Sequence, residues 1–327
     1  MRVLVTGATG FVGANVSIAL AERGHDVIML HRSAPDHRLE ADLRLPRTGQ
    51  VMLEQADASD QAAITRVFAR HAPTHVIHAA AATPSPEQER EEPWSIVVTN
   101  ELSTLAVLTA CADHAVQRVI FISSAAVYDS AVRPRPPHTD EAAPLLDGGS
   151  LYALTKIASE RLCHWADSCY GIDVRCVRPT NVYGPYERPT TSRQNMSSIY
   201  LALHLALEGT PLTANGRSVI RDWVHVSDVA RAIVDLLAAP RLCHHTYNVT
   251  SEAVKTEQVL NAVVAAVPGT TVGWVESASN ANVPLFSELV PAPLSIDRLQ
   301  ADIGFKPRFS LVEGVNAYAD WLRRRTG

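Results

Sequence analysis

The strongest constraint on this chain lies in its first sixteen residues, MRVLVTGATGFVGANV. An apolar, β-branched run stops at Thr6, and Gly7, Gly10 and Gly13 follow at intervals of three. A strand that turns at once into a helix can bring its backbone against a pyrophosphate only where side chains are absent. The free amides and the dipole at the helix start then face the anion. The three glycines suit the tight turn, the close approach and the packing of helix on strand. Isolated glycines also make ordinary turns, but here the strand before and the helix after predict a dinucleotide site. Thr9, Phe11 and Val12 share that turn and are further candidate cofactor contacts.

The following segments alternate as such a site requires. Residues 12–23 read as a helix closed by Gly24, and HDVIML as a second strand. Ile64, Val67, Phe68 and His71 mark a helical face at i, i+3, i+4, i+7. HVIHAA and RVIFISS are buried strands separated by a helix over 102–115; a long helix over 152–170 precedes the strand DVRCVRP. Near-continuous apolar strands between amphipathic helices imply a doubly wound parallel α/β sheet, with right-handed crossovers. After Pro179 the texture changes. Residues 184–197 are polar and Pro-containing, and 256–297 show weak periodicity. The reading is a dinucleotide domain of 1–180 plus about 219–254, with the latter stretch returning to the main sheet. A smaller α/β substrate lobe takes about 181–218 plus 255–327.

Composition narrows the partners. The net charge is −5 and no Lys/Arg-rich run occurs, so neither nucleic acid nor an anionic membrane is expected. No apolar run is seen to reach the roughly 18–20 residues that span a bilayer. Met1 leads straight into the first strand, so no signal peptide is expected. Cys111, Cys163, Cys169, Cys176 and Cys243 have no CxxC or zinc spacing. They read as reduced, mostly buried thiols of a cytoplasmic protein, and no metal is expected.

Hydride transfer at a carbinol needs a base for the hydroxyl proton. A tyrosine titrates near 10, and a lysine ammonium on the same helix face at i+4 lowers it. Tyr152 and Lys156 in SLYALTKIASERL have that spacing. FISSAAVY lies upstream at the carboxyl end of a strand, where open sheets place ligands, and brings Ser123 and Ser124 there. These serines could also simply satisfy backbone groups at a strand end. For the cofactor, the end of the second strand offers His31 and Arg32 where an acid would take the ribose hydroxyls of NAD. A cation there suits the 2′-phosphate of NADP.

The Gly-x-x-Gly-x-x-Gly spacing, with Tyr152, Lys156 and the serine pair, resembles the extended short-chain dehydrogenase/reductase family, over nearly the whole chain. That family holds sugar-nucleotide epimerases, dehydratases and ketoreductases. The resemblance implies a Rossmann domain and an enzyme with Ser124, Tyr152 and Lys156 as catalytic residues. It implies that Asp57 and Ala58 meet the adenine, that Ala79, Ala80 and Ala81 lie along the cofactor, and that Asn100, Ser123 and Pro179 stand near it. Arg32 matches a position where NADP-dependent members carry Arg. Thr83, Asn181, Asn195 and Arg221 are implied substrate contacts, Arg221 to a phosphate, while Asp222 and Asp228 are expected to be structural. A homodimer through the helices at 102–115 and 152–170 is also implied.

Two departures from the family pattern shape the reaction. Dehydratases of the family carry an acidic pair after the Ser/Thr; here Ala125 and Ala126 stand there, which argues against 4,6-dehydration. An NADPH-dependent nucleotide-sugar 4-ketoreductase is the leading expectation, because of Arg32, and an NAD-dependent 4-epimerase is the alternative. Residues 256–297 contain no Lys, Arg or His, so Arg221 would grip a diphosphate without the usual second cation. Each lost charge-assisted contact is worth roughly 1.5–3 kcal/mol. Arg188, Arg193 or Asn195 could compensate. Otherwise the substrate is a smaller sugar, a sugar acid or a polyketide-like alcohol. A dinucleotide sensor without catalysis remains the non-enzymatic alternative, although such relatives tend to lose the Tyr or Lys.

Overall fold

Val3 and Val5 point into one apolar core and Leu4 into another, as the two-residue period of a strand demands. The computed structural model in which this is seen describes residues 1–130, 137–284 and 292–324. Strand β1 (Arg2–Thr6) leads to α1 (Phe11–Glu22), β2 (Asp26–His31), α2 (His37–Leu43), β3 (Val51–Gln55), α3 (Gln61–His71) and β4 (His75–His78). Short helices α4 (Pro86–Glu91) and α5 (Pro93–Val97) precede α6 (Ser103–Asp113), β5 (Arg118–Ile122), α7 (Leu151–Tyr170) and β6 (Asp173–Pro179). Then come β7 (Asn181–Tyr183), α8 (Ser198–Leu207), β8 (Leu212–Ala214), β9 (Ile220–His225), α9 (Val226–Ala238) and β10 (Thr246–Val249). The described chain finishes with β11 (Glu252–Lys255), α10 (Thr256–Ala266), β12 (Val272–Trp274), α11 (Asp297–Ile303) and α12 (Leu311–Arg323).

Seven parallel strands form the main sheet, in the order β10-β6-β5-β4-β1-β2-β3. Helices α1 and α9 pack together with one core, and α3, α6 and α7 with the other. The sheet is thus the doubly wound one that the alternating pattern implies. Helix starts follow their capping residues. Asp60 accepts from the Ala63 amide at 3.0 Å to open α3, and Ser150 accepts from the Ala153 amide at 3.2 Å to open α7. Gly171, in the left-handed region at φ 68°, ends α7.

Three local expectations differ from what is observed. The helix expected over 102–115 begins earlier: α5 runs through a π-helical turn (Val98–Leu102) into α6. The resulting run, Pro93–Asp113, is long and apolar enough, by length and composition, to cross a membrane. Half of it is buried in the fold, and its inward Asn100, Ser103 and Thr104 make buried hydrogen bonds. Second, of the 219–250 stretch only β10 joins the main sheet. Strand β6 ends at Pro179, the chain leaves the sheet, and β9 pairs instead with β7 and β11. Third, 256–297 is less irregular than its composition implied. Helix α10 buries Val259, Leu260, Ala262, Val263 and Ala266, a periodicity blurred by uniformly small apolar residues. Residues 285–291 and 325–327 of the expected lobe lie outside the described residues. Cys111, Cys163 and Cys176 are buried and Cys169 and Cys243 exposed, all free thiols.

Candidate active site

Strand order reverses between β1 and β4, and open sheets take ligands at the carboxyl ends around such a point. A cavity of about 800 Å³ lies there, lined from the glycine turn to the start of α7. Gly7 has φ +61°, and a Cβ on it would fall 2.7 Å from the Ala80 Cα. A Cβ on Gly13 would fall 2.3 Å from the Gly7 carbonyl oxygen. Turn, helix and the β4 end are therefore packed backbone to backbone. Helix α1 opens at Gly10 with no side chain capping it, which leaves its first amides to an anion. These features fit a dinucleotide pyrophosphate.

Gly7, Thr9, Gly10, Phe11, Val12 and Gly13 all line the cleft, as do Arg32, Asp57 and Ala58. The Arg32 side chain is half exposed, its Nη1 3.8 Å from an Asp57 carboxylate oxygen. Burial pushes the Asp57 carboxyl up, but the Ser59 amide and hydroxyl and the Arg32 charge outweigh it and leave it below its usual value. His31 is buried and does not line the cleft.

Ala79, Ala80 and Ala81 line it from the end of β4, and a small buried network sets their backbone. The Thr6 hydroxyl accepts from the amides of Ala79 and Ala80 at 3.2 and 3.1 Å. Its own proton therefore goes to His78 Nδ1, at 2.7 Å. His78 Nε2 then donates to Thr104, at 3.1 Å. Asn100 does not line the cleft; it brackets the next residue, accepting from the Ala82 amide at 2.7 Å and donating to its carbonyl at 3.1 Å.

His78 is thus a neutral histidine, and burial pushes it down to about 3. His225, enclosed against Tyr183 and Phe309, is pushed down by burial to about 4. Both fall below the unfolded value, so the unfolded chain binds more protons between those limits and 6.5, and stability falls as pH falls through that window. From pH 7 to pH 5 the two together should cost about 4 kcal/mol, the slope of each reaching about 1.4 kcal/mol per unit only below the unfolded value. Urea unfolding at pH 7 and pH 5 checks this; equal midpoints would sink it.

At the other end of the cleft, Ser123 and Ser124 follow β5. Ser124 Oγ accepts from the Ala126 amide at 3.1 Å, and Ser124 and Tyr152 line this end of the cleft together. Glu89, on α4, accepts from the amides of Leu151 and Tyr152, both at 3.0 Å, and so fixes the first turn of α7. Sequence reasoning passed over Glu89; the Ser85–Gln88 capping box that opens its helix was readable, its contact with α7 was not. Burial raises the Tyr152 hydroxyl, while the Ser124 hydrogen bond and the Arg193 charge pull it back. Lys156 was expected to supply that pull. Its ammonium donates instead to the Ile122 carbonyl at 2.8 Å, 6.0 Å from the Tyr152 ring centre, and burial lowers it to about 8.

Pro179, Thr83, Asn181 and Asn195 also line the cleft. Asn181 donates to the Asp222 carbonyl at 2.8 Å and Asn195 to the Pro84 carbonyl at 2.6 Å. Arg221 does not line it: β9 belongs to the small sheet, where Arg221 faces Val254 in register. Asp222 and Asp228 are structural, Asp228 accepting from the amides of Arg308 and Phe309. The loop after β7 is fastened to α2: the Tyr186 hydroxyl donates to Asp42, and Arg188 pairs with Asp36 at 2.8 Å. Arg188 also donates to the Thr9 carbonyl, at 3.4 Å. Behind the site, Ser123 Oγ donates to Glu160 at 2.5 Å, and Arg178 grips both Glu160 oxygens at 2.8 and 2.6 Å.

Comparison with known proteins places this geometry. Residues 3–250 match the profile of the NAD dependent epimerase/dehydratase family. The chain is 27% identical to UDP-glucuronate 4-epimerase 1 of Arabidopsis thaliana over 349 residues, 98% of this chain and 76% of that protein. It is 26% identical to dTDP-glucose 4,6-dehydratase of Xanthomonas campestris pv. campestris (strain B100) over 97% of its own length and 92% of the relative's. The structure of Thermus thermophilus UDP-glucose 4-epimerase in complex with NAD superposes with a TM-score of 0.81, at 29% identity and 99% coverage of both chains.

Proposed function

This chain belongs to the NAD dependent epimerase/dehydratase family, and on that premise we propose that it interconverts a carbinol and a ketone on the hexose of a nucleotide sugar. The observation that carries the reading is that Tyr152 and Ser124 line the far end of a cleft that begins at the glycine turn. Bound NAD or NADP, held by the glycine turn, Asp57 and the Ala79–Ala81 backbone, would supply the hydride acceptor or donor. Ser124 orients the reacting oxygen. Tyr152 takes the carbinol proton as phenolate, or gives one to the ketone as phenol. Lys156, anchored on the end of β5 one helical turn from Tyr152, would hold a ribose hydroxyl of the bound dinucleotide.

NADPH-dependent 4-ketoreduction is the first reading, because Arg32 lines the cleft where no carboxylate ends β2. The second is 4-epimerisation with retained NAD, which the names of the relatives favour. Ala125 and Ala126 leave 4,6-dehydration without its acid and base. Denaturing the purified protein and identifying the released dinucleotide separates the two. An empty or NADP-loaded site, with NADPH oxidised by 4-keto nucleotide sugars, supports the reductase. Retained NAD, with C4 epimers formed, replaces it with the epimerase. Exposed Trp94, Leu102, Leu105 and Leu154 on the helices at 93–113 and 151–170 support a homodimer. Light scattering of the same sample should give a dimer mass, and a monomer mass removes that reading.

A further inference from the structure

Among the described residues, two carboxylates line the cleft, Asp57 and Glu89. Asp57 is taken up by Ser59 and Arg32. Glu89 is taken up by the backbone that carries Tyr152. The first amides of a helix have no partner within it. In α7 the Ser150 hydroxyl takes the third, that of Ala153, at 3.2 Å. Glu89 takes the first and second, those of Leu151 and Tyr152, with one oxygen each at 3.0 Å. A grip at two points fixes both the position and the rotation of a turn, where a single bond fixes one point. The positive end of the α7 dipole faces the carboxylate and adds to the hold. Tyr152 is held from the other side too. Its carbonyl accepts from the Thr155 hydroxyl at 2.8 Å, and that hydroxyl accepts from Asn100 at 3.0 Å. The backbone is thus pinned on both sides of the carbon that bears the phenol.

Core packing does not place Glu89. Helix α4 buries none of its residues, and elements with few buried contacts open at low cost. Its ties run to the loop after β7. The Asn195 side chain donates to the Pro84 carbonyl at 2.6 Å, the Thr83 amide to the Ser192 carbonyl at 2.7 Å, and the Gln88 side chain to the Thr191 carbonyl at 3.4 Å. The same loop reaches the glycine turn through Arg188, which donates to the Thr9 carbonyl. One line of contacts therefore joins the glycine turn, the loop, α4 and Tyr152.

We propose that Glu89 is a positioning residue for Tyr152, and that the loop after β7 sets the reacting phenol through it. The inference rests on the reading of Tyr152 as the proton-transferring group and adds what governs its place. A loop settled over the cleft holds α4 in register, and α4 holds the first turn of α7. A displaced loop releases α4, and the phenol loses its aim at the carbinol. Glu89 takes no proton in this role, since each of its oxygens is engaged by an amide.

The test compares the wild type with Glu89→Ala, Glu89→Gln, Asn195→Ala and the double variant Glu89→Ala, Asn195→Ala. Kinetics use UDP-glucose with NAD, and a UDP-4-keto-hexose with NADPH. Hydrogen exchange of the ligand-free proteins reads the amides of Leu151 and Tyr152 directly. Glu89→Ala should lower kcat by about 10²-fold, the cost of an ångström of misplacement, while KM and the folded fraction hold. Glu89→Gln keeps the size but turns a donor toward one of the two amides, and its kcat should fall between. Exchange at 151–152 should speed up in Glu89→Ala and in Asn195→Ala. The double variant should exchange no faster than Glu89→Ala, because both changes act on one line of contacts. Near-wild-type kcat in Glu89→Ala, or a loss matched by KM or by the folded fraction, overturns the positioning role. Unchanged exchange in Asn195→Ala, or additive effects in the double variant, overturns the part of the loop. If the wild type turns over neither probe, the nucleotide-sugar reading fails alone, and exchange still decides the proposal.

Discussion

Tyr152→Phe should lower kcat by about 10³-fold, in the middle of the range for a positioned acid–base group. The half-buried ring stays in its place, so thermal unfolding should move little. What disappears is the phenolic oxygen that would transfer the proton beside Ser124. Burial holds that hydroxyl above its usual value, so little phenolate exists at neutral pH. The wild-type carbinol oxidation should accordingly speed up with rising pH, and the variant's residual rate should not. Titration of NAD(P)H fluorescence separates lost chemistry from lost binding. Activity within about tenfold of wild type, below the least such a group contributes, would exclude Tyr152 as the base.

The second large effect is on stability. Arg178→Leu should cost about 3–5 kcal/mol, because it leaves the Glu160 carboxylate buried without its counter-charge. Both side chains are 5% exposed. Arg178 also donates to the Tyr128 hydroxyl at 2.9 Å and to the Glu141 carbonyl at 3.3 Å, so the loop behind the serines loses its anchor as well. Ser123 bonds to Glu160, and activity should therefore fall with stability. The double variant Arg178→Leu, Glu160→Leu removes the orphaned charge and should recover part of the lost stability. Chemical denaturation of the two proteins decides: a single variant as stable as wild type, or a double variant less stable than the single, contradicts the argument.

What the sequence made legible was local. Gly7, Gly10 and Gly13 announce their role because turn, approach and packing all fall within one turn of chain. Tyr152 and Lys156 do so because a helix brings i and i+4 together. Contacts made between distant segments stayed hidden. Glu89 reaches Tyr152 from 63 residues away, and no spacing rule connects α4 to α7. Arg193 was visible as a cation on a polar loop, but its pairing with Thr83 depends on a bridge formed only in the folded chain. Arg221 was assigned by likeness to a motif, while its position depends on where β6 ends and β9 finds a partner. Lys156 occupies the expected helix face, yet the carbonyl ending β5 competes for its ammonium.

The fastening of the loop after β7 to α2 bears on how long a bound dinucleotide would stay. Arg188 touches both Asp36 and the Thr9 carbonyl, so a dinucleotide lying over the glycine turn would be roofed by that side chain. A reductase must discharge its oxidised dinucleotide after every cycle, and it would break the Arg188–Asp36 pair each time. Its throughput would then be limited by opening and would respond to ionic strength, which weakens partly exposed ion pairs. An epimerase recovers its own hydride and can leave the roof shut through many cycles. One ion pair therefore has opposite kinetic meanings under the two readings: a recurring toll in the first, and a simple seal in the second.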